Sequence, residues 1–481
     1  MKINMMKGNT LILATLLLLM LTGCHSVNRL ANDKEVAILT VNDIHANIDL
    51  FPRFAALVDS IRGVYPDLLV FSAGDNRTGN PLNDMYDPTN YPVIAMMNKV
   101  GFDLSAVGNH EWDANIEALQ RNISDADFPF LCANVFIPDS VKLDIVPFKV
   151  IENNGVKIAV VGLLQLGASG IPSAHKNNVS RVSFKKGIEV VADYQYLRDK
   201  NDLFVLLSHE GFEEDLRLAD AYPFVDAIFG GHSHTLIEHP ETHNGVLITQ
   251  SGSKLNYATL TVFKFHDKAL VERKATVLNV NKFSKENAEM KDMVKSFCEA
   301  NNSMDEVMAV ATTRFNNREE IGCMITDAVR EGSGADFVFQ NTGGIRVNDF
   351  EQGPITVKDI YTIDPFKNMV VVYTMTGKQI EQFIIQSYKQ NGRRASFVSG
   401  MRYKVTTDAD GYPQSVSITL DKGNFSPKAQ YKVAMNDYMA TSVKFNSIDD
   451  GTSLFITTEE MTMDYLKKHK TVDYQNVIRT E

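Results

Sequence analysis

The chain runs from Leu104-Ser105-Ala106-Val107 into Gly108-Asn109-His110-Glu111-Trp112-Asp113, so an apolar segment meets polar, ligand-type side chains across one glycine. The apolar half predicts a buried strand, and the glycine permits a tight turn at the carboxyl end of that strand. Sites in open α/β sheets form at the carboxyl edges of the strands. This stretch therefore predicts an α/β fold whose functional side chains follow its strands.

The same arrangement recurs after four other apolar runs. The segments that follow those runs are Asn42-Asp43-Ile44-His45, Ala73-Gly74-Asp75-Asn76, Leu207-Ser208-His209-Glu210 and Gly230-Gly231-His232-Ser233-His234. A glycine directly precedes the ligand-type residue in three of the five motifs, where it permits close backbone approach. We therefore expect all five strand ends to converge on one crevice.

The spacing within the motifs supports a metal site. Asp43 and His45 are two residues apart, which places both side chains on the same side of an extended chain, and His232 and His234 repeat this spacing. The five segments supply enough nitrogen and oxygen ligands for two metal ions that share Asp75, more than one tetrahedral site needs. Nitrogen and oxygen ligands admit zinc, manganese, iron or cobalt.

Composition limits the classes of function. The 481 residues are 44% hydrophobic and 22% charged, which excludes disordered, collagen-like and coiled-coil proteins. The net charge of −11 argues against a nucleic-acid partner, which needs a basic footprint. An enzyme for anionic substrates must then supply positive charge locally, through metal ions or a few arginines. One of the four cysteines, Cys24, follows an N-terminal apolar run and is expected to carry lipid; the three that remain cannot all pair, so no disulfide framework is expected.

The N-terminus predicts an export signal. Lys2 and Lys7 precede an apolar run at residues 11–21, which is too short to span a bilayer, and the run ends in Leu21-Thr22-Gly23-Cys24. This ending resembles a bacterial lipobox, which implies a signal peptide at 1–23, lipidation of Cys24 and a tether at 24–34. A plain secretory signal with an incidental cysteine is the alternative. The body would be extracytoplasmic and lipid-anchored to a bacterial membrane, on its periplasmic side or at the cell surface.

Alternation of apolar runs with amphipathic stretches predicts two α/β domains. The first covers residues 35–275, and a polar, helix-compatible segment at 276–310 is the expected linker helix. A smaller mixed α/β domain follows at 311–481. This second domain should select the substrate.

The five motifs, in this order, resemble those of the calcineurin-like metallophosphoesterases. The resemblance implies an N-terminal β-sandwich flanked by helices and two divalent metal ions, zinc or manganese being favoured. One ion would be held by Asp43, His45, Asp75 and His234, and the other by Asp75, Asn109, His209 and His232. A dyad of His110 and Asp113, three residues apart, would orient His110 toward the substrate. The alternative is a structural His110.

The second half resembles the C-terminal domain of the 5′-nucleotidase family at Gln340-Asn341-Thr342-Gly343-Gly344-Ile345-Arg346 and at Asp364-Pro365-Phe366-Lys367-Asn368. The resemblance implies a nucleotide site. Its phosphate or ribose side would be bound by Arg314, Arg318 and Arg346. Its nucleoside side would be bound by Asn341, Gly344 and Asn368, with Phe366 stacked on the base. Phe445 would complete an aromatic sandwich around the base; the alternative is a core residue, because the glycine loop that precedes the second aromatic in the family is missing here.

The expected function is metal-dependent hydrolysis of nucleoside 5′-monophosphates outside the cytoplasm. Two alternatives stay open. The same site could act on 2′,3′-cyclic nucleotides, nucleotide sugars, NAD or another pyrophosphate, or the protein could be a non-catalytic nucleotide-binding surface lipoprotein. We expect a nucleotide substrate and a membrane attachment as partners, with no nucleic acid and no obligate protein partner.

Overall fold

A computed structural model describes residues 33–167, 170–240, 242–300, 302–390, 392, 394–420 and 423–480. The predicted signal peptide, the predicted lipidation site Cys24 and almost all of the tether lie outside these residues. Within them, no helix combines the length and apolar character that crossing a membrane requires. Among the described residues, Cys132, Cys298 and Cys323 are free cysteines.

The first half of the chain forms two six-stranded sheets. One sheet has the order Ala269–Asn279, Tyr257–His266, Asp33–Val41, Leu69–Ser72, Leu104–Ala106, Phe130–Leu131. The other has the order Thr242–His243, Val246–Thr249, Ala227–Phe229, Leu203–His209, Val156–Leu164, Phe148–Asn153. The ligand-bearing strands pair in parallel within each sheet, so their carboxyl ends meet at a shared edge.

The strand Asp33–Val41 is buried on both faces, which explains its nearly continuous apolar sequence. Successive side chains of a strand point to opposite faces. Val36 and Ile38 therefore enter the core between the two sheets, whereas Leu39 and Val41 enter the core beneath the helices. The two sheets form the predicted sandwich.

Helices flank this sandwich, as we predicted from the sequence. They are Phe51–Arg62, Pro81–Asp84, Tyr91–Val100, Ile116–Asp125, Lys176–Val179, Gly187–Val190 and Phe212–Ala221. Phe51–Arg62 and Tyr91–Val100 share a core with the first sheet, and Phe212–Ala221 shares one with the second. A small ladder pairs Val135–Phe136 with Ser183–Phe184.

The predicted linker segment contains the helix Ala288–Glu299. Its buried residues Met290 and Phe297 belong to the core of the first domain. Phe297 contacts Tyr86 edge to face, with ring centroids 5.4 Å apart. The helix thus packs on the first domain, and the boundaries given above remain predictions.

The second half is a mixed α/β unit. Its main sheet has the order Phe397–Ser399, Phe337–Gln340, Gln430–Asn436, Met369–Thr376, Thr452–Thr457. A three-stranded sheet has the order Gly353–Thr356, Val307–Ala311, Thr471–Val472, and Arg402–Thr407 pairs with Pro413–Thr419. The helices are Arg318–Ser333, Val357–Ile363, Gly377–Gln390, Asp437–Ser442 and Thr458–His469. They pack into two apolar cores.

Candidate metal centre and substrate cleft

Ligand-type side chains from separate strand ends come together at the carboxyl edge of the two sheets. Three groups have ligand atoms that all lie within 4.8 Å of one another. Two of them follow the predicted ligand sets, Asp43, His45 and His234, and Asp75, His209 and His232; the third is His45, Asp75 and His110. His209 Nε2 links the first two groups, since it lies 3.1 Å from Asp75 Oδ2 and 4.0 Å from Asp43 Oδ1. Asn109 joins the second group, with its Oδ1 2.8 Å from His232 Nδ1. The expected convergence is therefore present.

The backbone at these motifs is not extended, which corrects the reason we gave for their geometry. The strand Asp33–Val41 ends before the first motif, and Asp43 and His45 both have φ of 48°. His232 and His234 have φ of 71° and 55°. Non-glycine residues adopt this left-handed region at a cost and keep it only where the surrounding structure holds them. Strain of this kind concentrates at functional sites.

Close packing beneath the shared ligand explains two of the motif glycines. A Cβ at Gly108 would lie 2.2 Å from Asp75 Oδ1, well inside van der Waals contact. A Cβ at Gly74, where φ is 91°, would lie 2.8 Å from the Gly108 nitrogen. Both positions therefore require glycine, as the sequence pattern predicts.

The donor set fits metal ions. Asp43 Oδ1 and His209 Nε2 are buried, and their near polar neighbours are other ligand-type atoms: Asp75 Oδ2 lies 3.1 Å from His209 Nε2, and His234 Nε2 lies 3.3 Å from Asp43 Oδ1. The Nε2 atoms of His45 and His234 face each other at 3.0 Å. Buried nitrogen and oxygen atoms aimed at common points are what a cation would satisfy.

Backbone carbonyls fix the orientation of two of the imidazoles. His45 Nδ1 donates to the Thr78 carbonyl at 2.9 Å, and His209 Nδ1 donates to the Ala73 carbonyl at 2.7 Å. Because Nδ1 carries the proton in each of these rings, the Nε2 lone pair points into the centre. Both histidines are thus prepared to bind metal through Nε2.

Burial and neighbouring charges set the protonation of the ligands. Burial lowers the pKa of His232 to about 4, with the charge of His209 adding to the effect. Burial and then the Arg346 guanidinium hold the pKa of His45 well below its usual range. Burial opposes charge on His209, but the Asp75 carboxylate outweighs it and raises the pKa of His209 to about 10. A metal ion and this proton compete for the same nitrogen, so metal binding would release the proton.

The predicted dyad is formed beside the metal ligands. His110 Nδ1 lies 2.6 Å from Asp113 Oδ2, and the short helix His110–Trp112 provides the turn that brings them together. His110 Nε2 lies 3.9 Å from Asp75 Oδ2 and faces the centre. Burial disfavours the charged ring, but the carboxylates of Asp113 and Asp75 together outweigh it and raise the pKa of His110.

Glu111 supports the centre from below, a role that we did not predict. Its carboxylate accepts hydrogen bonds from the backbone N–H groups of Asp75 at 3.0 Å, Asn76 at 2.9 Å and Gly108 at 2.6 Å. It therefore joins two of the five motifs. Its place inside the Gly-Asn-His-Glu stretch was the available signal.

A cavity of about 250 Å³ lies between the two halves of the chain. The first half contributes Asp75, Asn109, His110, Asp113, Ser173, Ala174, His175, His232 and His234. The second half contributes Asn341, Gly343, Gly344, Arg346, Phe366, Asn368 and Tyr438. Five of the eight predicted substrate residues line this cavity together with the metal ligands and the dyad.

Phe366 lies next to His110 in the cavity. Its ring stacks on the imidazole of His110, with centroids 5.8 Å apart and planes 25° apart. The Arg346 guanidinium lies 5.8 Å from the Phe366 ring centroid. An aromatic ring, a cation and the dyad thus share one small volume.

Arg314 and Arg318 do not line the cavity. Arg314 is half-exposed and forms ion pairs with Asp349 and, at 3.3 Å, with Glu351. Arg318 donates to Asn348 Oδ1 at 2.8 Å. The Arg314 guanidinium is thus paired with carboxylates, whereas Arg318 has one N–H group engaged and lies near enough to Arg346 for their charges to interact.

Phe445 does not line the cavity, and its packing matches the alternative of a structural role. Its ring packs edge to face on Tyr373 at 5.1 Å and on Phe383 at 5.2 Å. It is partly buried against one of the two apolar cores of the second half. The aromatic side chain that lines the cavity from this part of the chain is Tyr438.

Comparison with known families matches both halves in the predicted order. Residues 36–236 match the calcineurin-like phosphoesterase model, and residues 300–445 match the 5′-nucleotidase C-terminal domain. The chain belongs to the 5′-nucleotidase family. Its enzyme class is accordingly that of the phosphoric monoester hydrolases.

Relatives of this 5′-nucleotidase family member are distant but match over much of its length. Protein UshA of Yersinia enterocolitica is 25% identical, over 91% of this chain and 92% of the relative. A 5′-nucleotidase of Vibrio cholerae is 26% identical, over 73% of this chain and 75% of the relative. The trifunctional nucleotide phosphoesterase YfkN of Bacillus subtilis is 25% identical over 90% of this chain, which spans only 34% of that relative's length.

Solved structures share the fold. A 5′-nucleotidase precursor from Thermus thermophilus superimposes with a TM-score of 0.81, covering 93% of this chain and 99% of that one at 24% identity. The sulfate thiohydrolase SoxB of Thermus thermophilus gives a TM-score of 0.76, covering 93% and 96% at 16% identity. Proteins with this fold are thus named for the hydrolysis of different substrates. The fold alone does not identify the substrate of this protein, which must be inferred from the side chains of its site.

Proposed function

We propose that this protein is an extracytoplasmic, two-metal phosphohydrolase that removes phosphate from nucleoside 5′-monophosphates. The observation that carries the proposal is the single cavity in which the metal ligands, the dyad and the aromatic Phe366 meet. Metal ligands suit the phosphate, and an aromatic face suits a base. A nucleotide has a phosphate for the metal ligands and a flat base for Phe366, so it fits both parts of the cavity.

Two divalent ions, zinc or manganese, would be held by the seven ligands, with Asp75 shared. When bound, such ions supply Lewis acidity toward phosphate oxygens. Asp113 keeps the proton on Nδ1 of His110, so the other ring nitrogen faces the phosphate. From there His110 stabilises charge that develops on the phosphate or gives a proton to the leaving oxygen.

The second half of the chain would bind the rest of the substrate. Arg346 can bind phosphate oxygens through two N–H groups at once. Asn341 and Asn368 line the cavity and would hydrogen-bond the nucleoside, while Phe366 would stack on the base. Arg314 and Arg318 do not line the cavity, so their contact with the phosphate or ribose stays a prediction; Arg318, whose charge interacts with that of Arg346, is the better placed of the two.

The proposed location follows from the leader sequence. Leu21-Thr22-Gly23-Cys24 supports cleavage before Cys24 and attachment of lipid to its thiol. The experiment is labelling of the expressed protein with a radioactive fatty acid, in the natural chain and in Cys24→Ala. Label in the natural chain alone supports the anchor, and label in neither leaves the plain secretory signal as the better description.

A second candidate is hydrolysis of larger nucleotides, such as dinucleotides or nucleotide sugars. A neighbouring cavity of about 350 Å³ shares Asp113 and Phe366 with the first and is also lined by Arg77 and Lys367. This space could take the second half of a pyrophosphate substrate.

Phosphate release from a panel of mono-, di- and cyclic nucleotides decides between these functions. The assays use the purified protein with zinc, with manganese and with chelator. We expect metal-dependent release that is fastest with 5′-monophosphates. Faster cleavage of dinucleotides supports the second candidate, hydrolysis that survives chelation removes the two-metal scheme, and binding without turnover supports a non-catalytic lipoprotein.

Replacing the stacking ring tests the nucleoside end. Phe366→Ala should raise KM for nucleotides by roughly tenfold, since base stacking contributes about 1–3 kcal/mol, and should raise KM for a small aryl phosphate less. Phe455→Ala is the matched control, because Phe455 is 86% exposed on the edge strand Thr452–Thr457. Equal effects of Phe366→Ala on both substrates would count against base stacking.

A further inference from the structure

The loop that carries Phe366 and Asn368 is held by the start of the helix Thr458–His469. The backbone N–H of Thr458 donates to the Asn368 carbonyl at 3.0 Å. The backbone N–H of Lys367 donates to Glu459 Oε1 at 2.6 Å. The loop is thus attached at the two residues that directly follow the stacking ring.

A third attachment is made through buried side chains. Thr458 Oγ1 donates to Asp364 Oδ2 at 2.7 Å and lies 3.3 Å from Glu459 Oε2. Asp364, Thr458 and Glu459 are at most 1% exposed. The hydroxyl has only one proton to donate, so two ionised carboxylates cannot both be satisfied by it. A protonated Glu459 solves this, because it donates to the hydroxyl while the hydroxyl donates to Asp364.

We propose that Asp364, Thr458 and Glu459 form a proton-sharing clamp that positions the Phe366 loop for the nucleoside end of the substrate. Asp364 and Glu459 are positioning residues, since neither lines the substrate cavity. The proposal rests on the proposed nucleotidase function, because it assigns a purpose to the placement of Phe366.

The conformation of the loop explains why it needs a clamp. Lys367 has φ of 54°, a left-handed conformation that a lysine keeps only where neighbouring groups hold it. The group that holds it is Glu459, through the hydrogen bond to the Lys367 N–H. This turn directs the preceding ring onto His110. Loss of the clamp would therefore free Phe366 before it disturbs the metal ligands.

The charges around the clamp favour one shared proton. Burial and the nearby Asp364 raise the pKa of Glu459 to about 8, and burial together with Asp437 raises the pKa of Asp364 to about 6. The other ionisable groups that face this region are Tyr361 and Glu460, and His175, whose Nε2 lies 3.4 Å from Asp437. Above about pH 8 Glu459 loses its proton and repels Asp364. The clamp then loosens, so KM for nucleotides should rise with pH.

The experiment compares the natural protein with Glu459→Gln, which keeps an acceptor for Lys367 and a donor for Thr458 without a titrating proton. We would measure kcat and KM from pH 6 to 9.5 with a nucleoside 5′-monophosphate and with 4-nitrophenyl phosphate. In the natural protein, KM for the nucleotide should rise about three- to tenfold above pH 8, the effect of losing about one hydrogen bond. Glu459→Gln should abolish this rise. The aryl phosphate should give the same pH profile in both proteins.

Glu460→Gln is the matched control, since Glu460 is the next residue and is exposed. It should keep the alkaline rise. An identical rise in Glu459→Gln overturns the clamp, as does an equal change with the aryl phosphate. If Glu459→Gln does not fold, Thr458→Val tests the same point at pH 7, where KM for the nucleotide should rise about three- to tenfold; an unchanged KM overturns the clamp.

The failure of the clamp and the failure of the proposed function are distinguishable. If Phe366→Ala affects nucleotides selectively and the Glu459 and Thr458 variants do not, only the clamp is wrong. If the natural protein does not prefer nucleotides over the aryl phosphate, the proposed function is wrong, and the clamp loses its stated purpose with it.

Discussion

Arg346 of the second half reaches the ring of His45 in the first half, with Nη2 3.4 Å from Nε2. A cation from the substrate side therefore borders a metal ligand directly. A phosphate that binds at the metal centre would meet this guanidinium at once. In the proposed function, the two halves of the chain would thus build one phosphate site rather than two adjoining ones.

Replacing Arg346 should weaken catalysis with every phosphate ester. Arg346→Ala should lower kcat/KM by roughly 10- to 150-fold, because hydrogen bonds to charged groups contribute about 1.5–3 kcal/mol. Arg346→Lys should recover only part, since an ammonium cannot form the two-pronged contact. Steady-state kinetics check this, with the exposed Arg217 changed to alanine as control. If Arg346→Ala keeps the kcat/KM of the natural protein, Arg346 does not bind the phosphate.

The dyad predicts a separation of turnover from metal binding. His110→Asn should lower kcat by roughly 10²- to 10⁴-fold, the usual range for general acid–base groups, while the bound metal measured by mass spectrometry stays unchanged. His243→Asn is a matched control, because His243 pairs with Asp220 on the surface. Metal loss in His110→Asn would instead assign His110 to the ligand shell, where it lies with His45 and Asp75 in a third possible group.

The close packing of Gly108 against Asp75 predicts that adding one methyl group, in Gly108→Ala, reduces metal binding. In Gly108→Ala the new Cβ would collide with Asp75 Oδ1, so the shared ligand must move. We expect less bound metal, lower activity and a lower melting temperature. Gly63→Ala is the control. Gly63 lies at the end of the helix Phe51–Arg62, and its new Cβ would be 3.3 Å from the nearest atom, the Ser60 carbonyl oxygen. Normal metal content in Gly108→Ala would contradict the shared role of Asp75.

The metal ligands could be predicted from the sequence because each one lies in a short motif directly after an apolar run. Each apolar run forms a buried strand, and a parallel arrangement brings the carboxyl ends to one edge whatever the exact register. Asp75, Asn109 and His209 therefore meet as expected. The left-handed turns at Asp43 and His45 were missed, since motif spacing does not reveal φ.

The substrate side was harder to predict because it depends on long-range packing. Arg346 comes shortly after the strand Phe337–Gln340, and Phe366 lies in the loop between the helix Val357–Ile363 and the strand Met369–Thr376. Both line the cavity as expected. Phe445 follows a short helix, and the direction of its ring depends on how Tyr373 and other core residues pack. Tyr438 lines the cavity from the helix Asp437–Ser442, and we did not predict it, although Asn436-Asp437-Tyr438 is the part of this segment that matches the family.

A buried carboxyl group outside the metal ligands predicts the pH dependence of stability. Asp215 is fully buried, its Oδ1 accepts from Ser208 Oγ at 2.6 Å, and its Oδ2 has no hydrogen-bond partner within the described chain. Burial raises the pKa of Asp215 to about 8. The folded protein therefore binds a proton that the unfolded chain releases near pH 4, so this group's contribution to stability is present below about pH 4 and is lost as pH rises toward 8.

Asp215→Asn removes that proton and should remove its effect on stability. The free energy of unfolding of the natural protein should fall relative to the variant by up to about 1.4 kcal/mol per pH unit between pH 5 and 8. Urea unfolding at each pH, at one fixed metal concentration, measures the difference, and the Ser208 contact survives because an amide oxygen accepts as well. Parallel curves for the two proteins would mean that Asp215 is ionised in the fold, with a partner for Oδ2 supplied by solvent.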